Sequence, residues 1–95
     1  FTHPNATRYW TEQHAKFHQT VAFDGVWDDM NEPPNFVDGS TTGCPNSKYE
    51  NPQYVPGGKP LRTKTVCMTA KHHVGDIHYN LHNIYGMTEV IASNE

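Results

Sequence analysis

The sequence predicts an α/β fold in which one buried strand lies between two helices, and three observations lead to that prediction. A short apolar run, Phe23–Trp27, is flanked by turn-forming residues, as in a strand buried within a parallel sheet. Two carboxylates, Asp28 and Asp29, follow it directly, at the end of the strand where α/β enzymes keep their chemistry. A helical pattern precedes the run, so the chain resembles one step of a repeating βα architecture.

Size and composition indicate a part of a larger molecule. The chain has 95 residues, of which 35% are apolar, below the roughly 45% of an average domain. A domain of this size buries only about 60% of its unfolded surface, so its own core would be small. The sequence opens on Phe1 and ends at Glu95, within a predicted helix. We therefore expect a segment of a longer polypeptide.

Charge and cysteine usage restrict the partners and the compartment. A net charge of -3 and a pI of about 6.1 argue against nucleic acid and anionic membranes as partners. No apolar run approaches the roughly 20 residues of a membrane span. Cys44 and Cys67 lack Cys-x-x-Cys spacing, which favours one disulfide over a metal knuckle and places the protein in the secretory or lysosomal route.

The first helix is predicted from about residue 4 to residue 20. Pro4 suits a first helical turn, and polar residues such as Glu12 and Lys16 occupy the opposite face. The sequon that begins at Asn5 makes this residue a candidate for glycosylation, although such three-residue patterns often match by chance. The apolar residues that recur at helical spacing are Ala6, Tyr9, Trp10, Phe17 and Val21.

The strand is predicted from about residue 21 to residue 29. Side chains alternate across a strand, so Trp27 and Asp29 would share one side while Asp28 would lie on the other. Carboxylates that follow one another in this way cannot both face the same site. The alternation therefore predicts different surroundings for the two aspartates.

The remainder is predicted as a loop over 33–75 and a helix over about 77–93. A loop of about 40 residues is far longer than the usual 2 to 6, and such loops commonly form lids or walls of sites. A bridge from Cys44 to Cys67 would close about two dozen of its residues and stabilise them by about 3 kcal/mol. In the helix, Asp76 is a candidate N-cap and Gly86 a weak point of about 1 kcal/mol. Its apolar stripe is Ile77, Leu81, Ile84, Tyr85 and Ile91.

Two pairs of histidines at i, i+4 spacing, His14/His18 and His78/His82, raise the question of a metal site. No acidic or cysteine partner completes the first pair in the sequence, which favours packing or surface histidines. In the second pair, Tyr79 stands where the H-E-x-x-H metalloprotease helix needs its glutamate. The sequence therefore predicts no metal site.

Three carboxylates near the strand end, Asp28, Asp29 and Glu32, admit three interpretations. Oxygen ligands suit calcium or magnesium, but the spacing lacks the D-x-D-x-D-G pattern. Acidic residues and Asn are also ordinary turn formers, and a turn is certain at 31–34. The third interpretation is glycoside chemistry, in which a carboxylate attacks the anomeric carbon while an aromatic side chain packs on the sugar ring.

The motif WDDMNE, residues 27–32, resembles the W-x-D-M-N-E motif of glycoside hydrolase family 31. The flanking FDGVW and EPPNF resemble the α-glucosidase and maltase branch of that family. Two further blocks are similar to the same branch, GCPNSKYENPQYVPG at 43–57 and HYNLHNIYGMTE at 78–89, and FTHPNATRYW resembles its FTNP segment. The likeness covers nearly the whole chain.

The resemblance implies a role for each residue of the motif. Asp29 would be the catalytic nucleophile that forms a covalent glucosyl-enzyme intermediate. Trp27 and Met30 would line the pocket for the terminal glucose. Asn31 and Glu32 would lie behind the nucleophile and keep it ionised and oriented. No cofactor is implied.

The same resemblance implies a fold, a fragment of a (β/α)8 TIM barrel. The strand would be the fourth of the barrel, and the two helices would be the third and fourth. Cys44 and Cys67 match the loop disulfide of family members. The rest of the barrel would then be a structural partner of this chain.

Departures from the family pattern are expected to have structural consequences. The family usually has an apolar residue where Asp28 stands, and an unpaired buried carboxylate costs several kcal/mol, so we expect a local partner or a tolerant site at the rim. Pro34 replaces a small residue, and His3 replaces Asn. The general acid, which should lie about 5 to 5.5 Å from the nucleophile, is expected on a later strand beyond Glu95.

These observations predict a segment of a lysosomal or secreted, retaining, exo-acting α-glucosidase that releases glucose from maltose-like or glycogen-like chains. The isolated chain is expected to be inactive and to fold poorly, because a single parallel strand has no neighbour. One alternative is a non-catalytic carbohydrate-binding or regulatory relative of the same family. Another is a metallohydrolase that uses the histidine pairs.

Overall fold

A computed structural model describes residues 1–95, and the longer helices lie near the two ends of the chain. Helix α1 spans Ala6–His18, α2 spans His78–Leu81 and α3 spans Tyr85–Ser93. One 3-10 turn, His82–Ile84, joins α2 to α3, and another spans Pro56–Gly58. Because α1 and α3 pack against each other, the beginning and the end of the chain form one unit.

Helix α1 forms where the periodicity predicts a helix. Asn5 is its N-cap residue but makes no side-chain capping bond. His3 lies beside it, and its Nδ1 accepts a hydrogen bond of 2.9 Å from the Asn5 backbone N–H. Of the apolar side chains on α1, Trp10 is partly covered, whereas Tyr9 and Phe17 are largely exposed. Helix α1 therefore buries only the part of its surface that faces α3.

The predicted buried strand does not form. Residues 21–29 carry no β-pairing, and the three isolated bridges of the chain all involve later residues. Trp27 is 86% exposed and Val26 is about half exposed. A parallel strand needs hydrogen bonds from a neighbouring strand, and no other segment of this chain forms a β-bridge with the run. The prediction of a buried strand is therefore not confirmed in this chain.

The loop between the helices is more tightly organised than its glycine and proline content predicts. The Cys44–Cys67 disulfide is formed. Single bridges pair Pro34 with Thr65 and Gly39 with Val66. Gly39 has φ 79°, and a Cβ added there would overlap Cys44 Sγ, so only glycine allows the chain to pass this close to the disulfide.

Buried residues concentrate in this loop and in the helices that follow it. Met68 and His78 have no exposed surface, and Glu50 and Thr65 are also buried. The Arg62 guanidinium donates from Nη1 to the Glu50 backbone carbonyl at 3.0 Å. The loop is thus held by one covalent bond, by polar contacts and by a small buried cluster rather than by strands.

The predicted helix at 77–93 is interrupted rather than continuous. Leu81 and Ile84 have φ near -110° and ψ near 0°, and these flattened turns separate α2 from α3. Asp76 lies one residue before the N-cap Ile77, and its Oδ1 accepts hydrogen bonds from the Ile77 N–H and from Asn80 Nδ2.

The predicted apolar stripe of this helix is only partly the buried face. Leu81 is buried, but Ile84 and Ile91 are exposed, while Glu89 and Ala92 are covered. The covered face of α3 is the one that meets α1 and residues 28–31. Polar contacts with that segment decide which side of the helix is buried.

The shape of the chain is elongated. Its Cα radius of gyration is 15.6 Å and its longest dimension 47 Å, whereas a compact domain of this length has a radius of gyration of about 12 Å. None of the helices combines the length and the hydropathy needed to traverse a bilayer.

Candidate active site

Asp28 is anchored to the last turn of α3. Ser93 Oγ–H donates to Asp28 Oδ1 at 2.9 Å, and the same Ser93 oxygen accepts a hydrogen bond of 2.8 Å from Trp10 Nε1. The chain Trp10–Ser93–Asp28 therefore connects α1, α3 and the motif. It supplies the local partner that a carboxylate at this position requires.

The next residues in the motif are exposed. Asp29 and Met30 have open side chains, as has Trp27, and no side-chain hydrogen bond ties Asp29 to the rest of the chain. Met30 has φ 61°, a left-handed conformation that costs a non-glycine residue about 1–3 kcal/mol. The backbone turns sharply just after Asp29, so Asp28 and Asp29 have different surroundings although they are adjacent.

Asn31 lies against the first turn of α3. A Cβ built on Gly86 would be 3.0 Å from both Asn31 Cγ and Nδ2, closer than side chains normally approach. Gly86 is therefore the residue that lets Asn31 sit on the helix surface. The Asn31 side chain also faces the Glu89 carboxyl, one turn further along α3, closely enough for its amide to lower the pKa of Glu89.

Glu89 is a buried carboxyl beside the motif. Only 7% of its surface is exposed, and its Oε2 has no hydrogen-bond partner. Burial raises the pKa of Glu89, and the charges of Asp28 and Asp29 raise it further, while the nearby Asn31 amide lowers it. The surroundings of Glu89 therefore favour its neutral form.

Glu32 is exposed, but its backbone lies close enough to the buried His78 to influence the pKa of that ring. His78 Nδ1 lies 3.1 Å from His72 Nε2, and His78 Nε2 lies 3.1 Å from His82 Nδ1. Burial lowers the pKa of His78 to about 4, and the neighbouring His82 and His72 lower it as well. Since a neutral imidazole donates through one nitrogen and accepts through the other, His78 can serve both partners without a charge.

The loop closes onto the turn that follows Glu32. Thr65 Oγ1–H donates to the Pro33 carbonyl at 2.6 Å, and the Asn35 N–H donates to the Lys64 carbonyl at 2.8 Å. Thr65 lies two residues before Cys67, so the disulfide-closed part of the loop is joined directly to the motif. Within the loop, the Gly39 N–H donates a hydrogen bond of 2.8 Å to the Thr65 carbonyl.

The predicted site residues 27–32 make contacts in the structure that the sequence did not predict. Gly86, Glu89, Ser93 and His78 all touch this segment. The spacing of 86, 89 and 93 on one helical face could have indicated the first three, because polar or small residues there interrupt an otherwise apolar helix.

The His14/His18 pair and the Asn5 sequon lie on or beside α1 rather than in the motif. His14 packs edge-on against Trp10 at 4.8 Å between ring centroids, and His18 Nε2 lies 3.1 Å from the Phe23 carbonyl. Both ring nitrogens of His78 are engaged with other rings, so the His72–His78–His82 nitrogens form a chain and do not converge on one point. Asn5 is exposed, and its glycosylation stays a prediction.

Comparison with known proteins decides the family. The model for the glycosyl hydrolases family 31 TIM-barrel domain matches residues 1–95. The chain belongs to glycosyl hydrolase family 31. This family 31 segment is 52% identical over 96 residues to lysosomal alpha-glucosidase of Mus musculus, a match that covers 99% of the segment and 10% of the relative.

Two further relatives also match nearly the whole segment. Lysosomal alpha-glucosidase of Bos taurus is 49% identical over 96 residues, with 99% of the segment and 10% of the relative covered. Intestinal sucrase-isomaltase of Homo sapiens is 39% identical over 97 residues, with 100% of the segment and 5% of the relative covered. The family 31 segment thus spans a tenth or less of the length of these curated relatives.

Family membership explains the difference between the predicted and the observed burial. The matched domain is a TIM barrel, an architecture in which each strand pairs with two neighbours and is covered by helices. Phe23–Trp27 has the composition of such a strand, but the family 31 segment contains no neighbour for it. The segment is thus one part of the barrel, in which the loop and the helices already make their contacts.

Proposed function

We propose that this family 31 segment carries the catalytic nucleophile of a retaining, exo-acting α-glucosidase, and that the nucleophile is Asp29. The observation that carries the proposal is the different treatment of the two adjacent aspartates. Asp28 is occupied by the Ser93 hydroxyl at 2.9 Å, whereas Asp29 is exposed and stands at the D of the W-x-D-M-N-E motif. Only Asp29 is free to meet a substrate.

The chemistry follows from a carboxylate beside an aromatic side chain. Asp29 attacks the anomeric carbon, a bond forms between its oxygen and that carbon, and the glycosidic C–O bond breaks. The departing oxygen takes a proton from a general acid, and water later hydrolyses the glucosyl ester with retention. Asp28 does not supply that proton, because it is bound to α3, and Glu32 lies in the nucleophile's own turn. The acid is therefore expected elsewhere in the barrel.

Trp27 and Met30 suit the walls of a glucose pocket. Both are exposed apolar side chains next to Asp29, and aromatic faces pack on the apolar faces of sugar rings. Asn31 lies against Gly86 of α3, and the Glu32 backbone lies near His78. This arrangement supports the binding of a terminal α-linked glucose of maltose-like or glycogen-like chains.

The proposal also covers the cellular compartment of the full-length protein and the activity of the isolated segment. The Cys44–Cys67 disulfide is typical of proteins that fold in oxidising compartments, and two of the relatives above are named lysosomal alpha-glucosidase. We place the full-length protein in the lysosome or outside the cell. The isolated segment should not hydrolyse maltose, because it holds only one member of the catalytic pair.

The direct test is covalent trapping. The full-length protein is incubated with 5-fluoro-α-D-glucosyl fluoride, whose fluorine at C5 slows hydrolysis of the intermediate, and is then digested and analysed by mass spectrometry. The label is expected on Asp29. A matched Asp28→Asn variant keeps an oxygen for the Ser93 hydroxyl and should be labelled at the same residue.

Two results would contradict the proposal. A label on Asp28 or Glu32 would reassign the nucleophile. Failure of the full-length protein to be labelled, together with retained binding of maltose, would instead indicate a non-catalytic carbohydrate-binding relative of the same family.

A further inference from the structure

One face of α3 is turned toward the nucleophile segment. Gly86, Glu89 and Ser93 are spaced i, i+3 and i+7, so they lie along one side of the helix. Ser93 holds Asp28 at 2.9 Å, and Gly86 and Glu89 both meet Asn31. The residues before and after the pair 29–30 are thus attached to the same helix.

The segment needs this support because its backbone is strained. Met30 has φ 61°, and a non-glycine residue keeps such a conformation only where its surroundings enforce it. Asn31 follows Met30 directly. Contacts that fix Asn31 therefore also restrain the backbone at Met30 and the orientation of Asp29. A displacement of about 1 Å at a reacting group can cost about 100-fold in rate.

Glu89 is the least expected member of this face. Glutamate is rarely buried without a partner, yet Glu89 is only 7% exposed and its Oε2 is unpaired. A helix that only needed to pack would carry an apolar residue at this position, as it does at the neighbouring buried Ala92. The contact that Glu89 makes and an apolar side chain could not make is the polar contact with the Asn31 amide, which lowers the pKa of Glu89.

We propose that Glu89 is a positioning residue for the nucleophile, which accepts a hydrogen bond from the Asn31 amide and so fixes the backbone that aims Asp29. The inference rests on the proposed function in one respect, the role of Asp29. Glu89 itself does not touch the substrate. Its neutral form would retain a carbonyl oxygen for Asn31 and would place no second negative charge beside Asp28 and Asp29.

The test uses four variants of the full-length protein. Glu89→Ala removes the acceptor and should lower kcat about 100-fold while KM changes less than about threefold. Glu89→Gln keeps an amide oxygen in the same place and should retain kcat within about threefold. Asn31→Ala should lower kcat about as much as Glu89→Ala. The double variant Glu89→Ala/Asn31→Ala should be no slower than either single variant, because both changes remove one interaction.

A matched control comes from α1. Glu12 is an exposed glutamate whose only ionic partner is Arg8 at 3.9 Å, so Glu12→Ala should leave kcat unchanged. Additive losses in the double variant, or loss of activity in Glu89→Gln equal to that in Glu89→Ala, would overturn the inference. If the alanine variant does not fold, Glu89→Asp takes its place, because it keeps the carboxyl but withdraws it by one methylene; unchanged kcat there would also overturn the inference.

Failure of the inference can be told apart from failure of the proposed function. Trapping with 5-fluoro-α-D-glucosyl fluoride is repeated on the wild type and on Glu89→Ala. A label on a residue other than Asp29 in the wild type refutes the proposed nucleophile. A label on Asp29 that forms at the same rate in both proteins refutes only the role of Glu89, whereas about 100-fold slower labelling of Asp29 in the variant is the expected result.

Discussion

The apolar run at 23–27 and the loop at 33–75 differ in burial, and the difference is the reverse of what their compositions predict. The run is built of residues that favour burial, yet Trp27 is 86% exposed. The loop is rich in glycine and proline, yet it contributes Glu50, Thr65 and Met68 to the buried set. The motif residues 28–32 lie between these two regions and are held by α3 on one side and by the loop on the other.

The difference shows which kind of contact each region depends on. The loop closes through a disulfide, through single bridges and through side-chain bonds such as that from Thr65 to Pro33, all of which lie within the chain. The run depends on strand neighbours and covering helices that a complete barrel provides. Contacts within the chain therefore hold the turn after Glu32 in place although residues 21–29 form no strand.

The largest expected effect separates the two aspartates. Asp29→Asn in the full-length protein should lower kcat about 10⁴-fold or more, because the nucleophile is lost. Asp28→Asn, the matched control, keeps an acceptor for Ser93 and should retain kcat within about tenfold. Steady-state hydrolysis of maltose by both variants tests this, and equal losses at the two positions would show that the tie to Ser93 does not distinguish them.

Removal of the disulfide tests whether the loop really depends on local closure. The double variant Cys44→Ala/Cys67→Ala should make opening of the loop easier by about 3 kcal/mol, since the bond closes a ring with a sequence separation of 23. Hydrogen exchange and limited proteolysis across 39–67 would detect the change. Protection equal to that of the wild type would mean that the bridges and polar contacts suffice alone.

Acid should destabilise the fold around the buried His78, because a charged ring is unfavourable there and beside His82 and His72. The pKa of His78 is lowered to about 4 from its ordinary value of 6.5, so the unfolded state binds more protons between these values and stability falls as the pH falls. The expected loss from neutral pH to pH 5 is about 2 kcal/mol, and it should be nearly complete below pH 4.

A substitution identifies the group responsible. His78→Gln cannot be protonated, so unfolding midpoints of the full-length variant should vary less between pH 7 and pH 5 than those of the wild type. His14→Gln serves as the control, because His14 lies on α1 away from the motif. The same pH dependence in wild type and His78→Gln would remove His78 as the cause.

The smallest expected effect concerns the approach of Asn31 to α3. Gly86→Ala would ordinarily stabilise a helix by about 1 kcal/mol, but here the new Cβ would lie 3.0 Å from Asn31. We expect a loss of about 1 kcal/mol and a fall in kcat of about tenfold. Met87→Ala, at an exposed neighbouring position, should change neither; a stabilised and fully active Gly86→Ala would show that Asn31 can move without consequence.

Sequence reasoning predicts the centre of the candidate site but not the contacts that support it. The motif at 27–32 and the two cysteines carry local patterns that can be recognised along the chain. The ties through Ser93, Glu89 and Gly86 join positions more than fifty residues apart, and no periodicity predicts which helical face meets Asp28 and Asn31. The apolar stripe of the last helix pointed to Ile84 and Ile91, which are exposed, because hydropathy ignores the polar contacts that orient α3.

The sequence by itself determined the family, the position of α1 and the residues of the motif, since these depend on local composition and spacing. Tertiary structure decided that Asp28 is bound and Asp29 exposed, that Glu89 is buried beside them, and that the loop rather than the apolar run contains the buried cluster. The physical reason is that burial and hydrogen bonding require two partners. A pattern along the sequence identifies one partner of a contact but not the residue, distant in the chain, that packs against it.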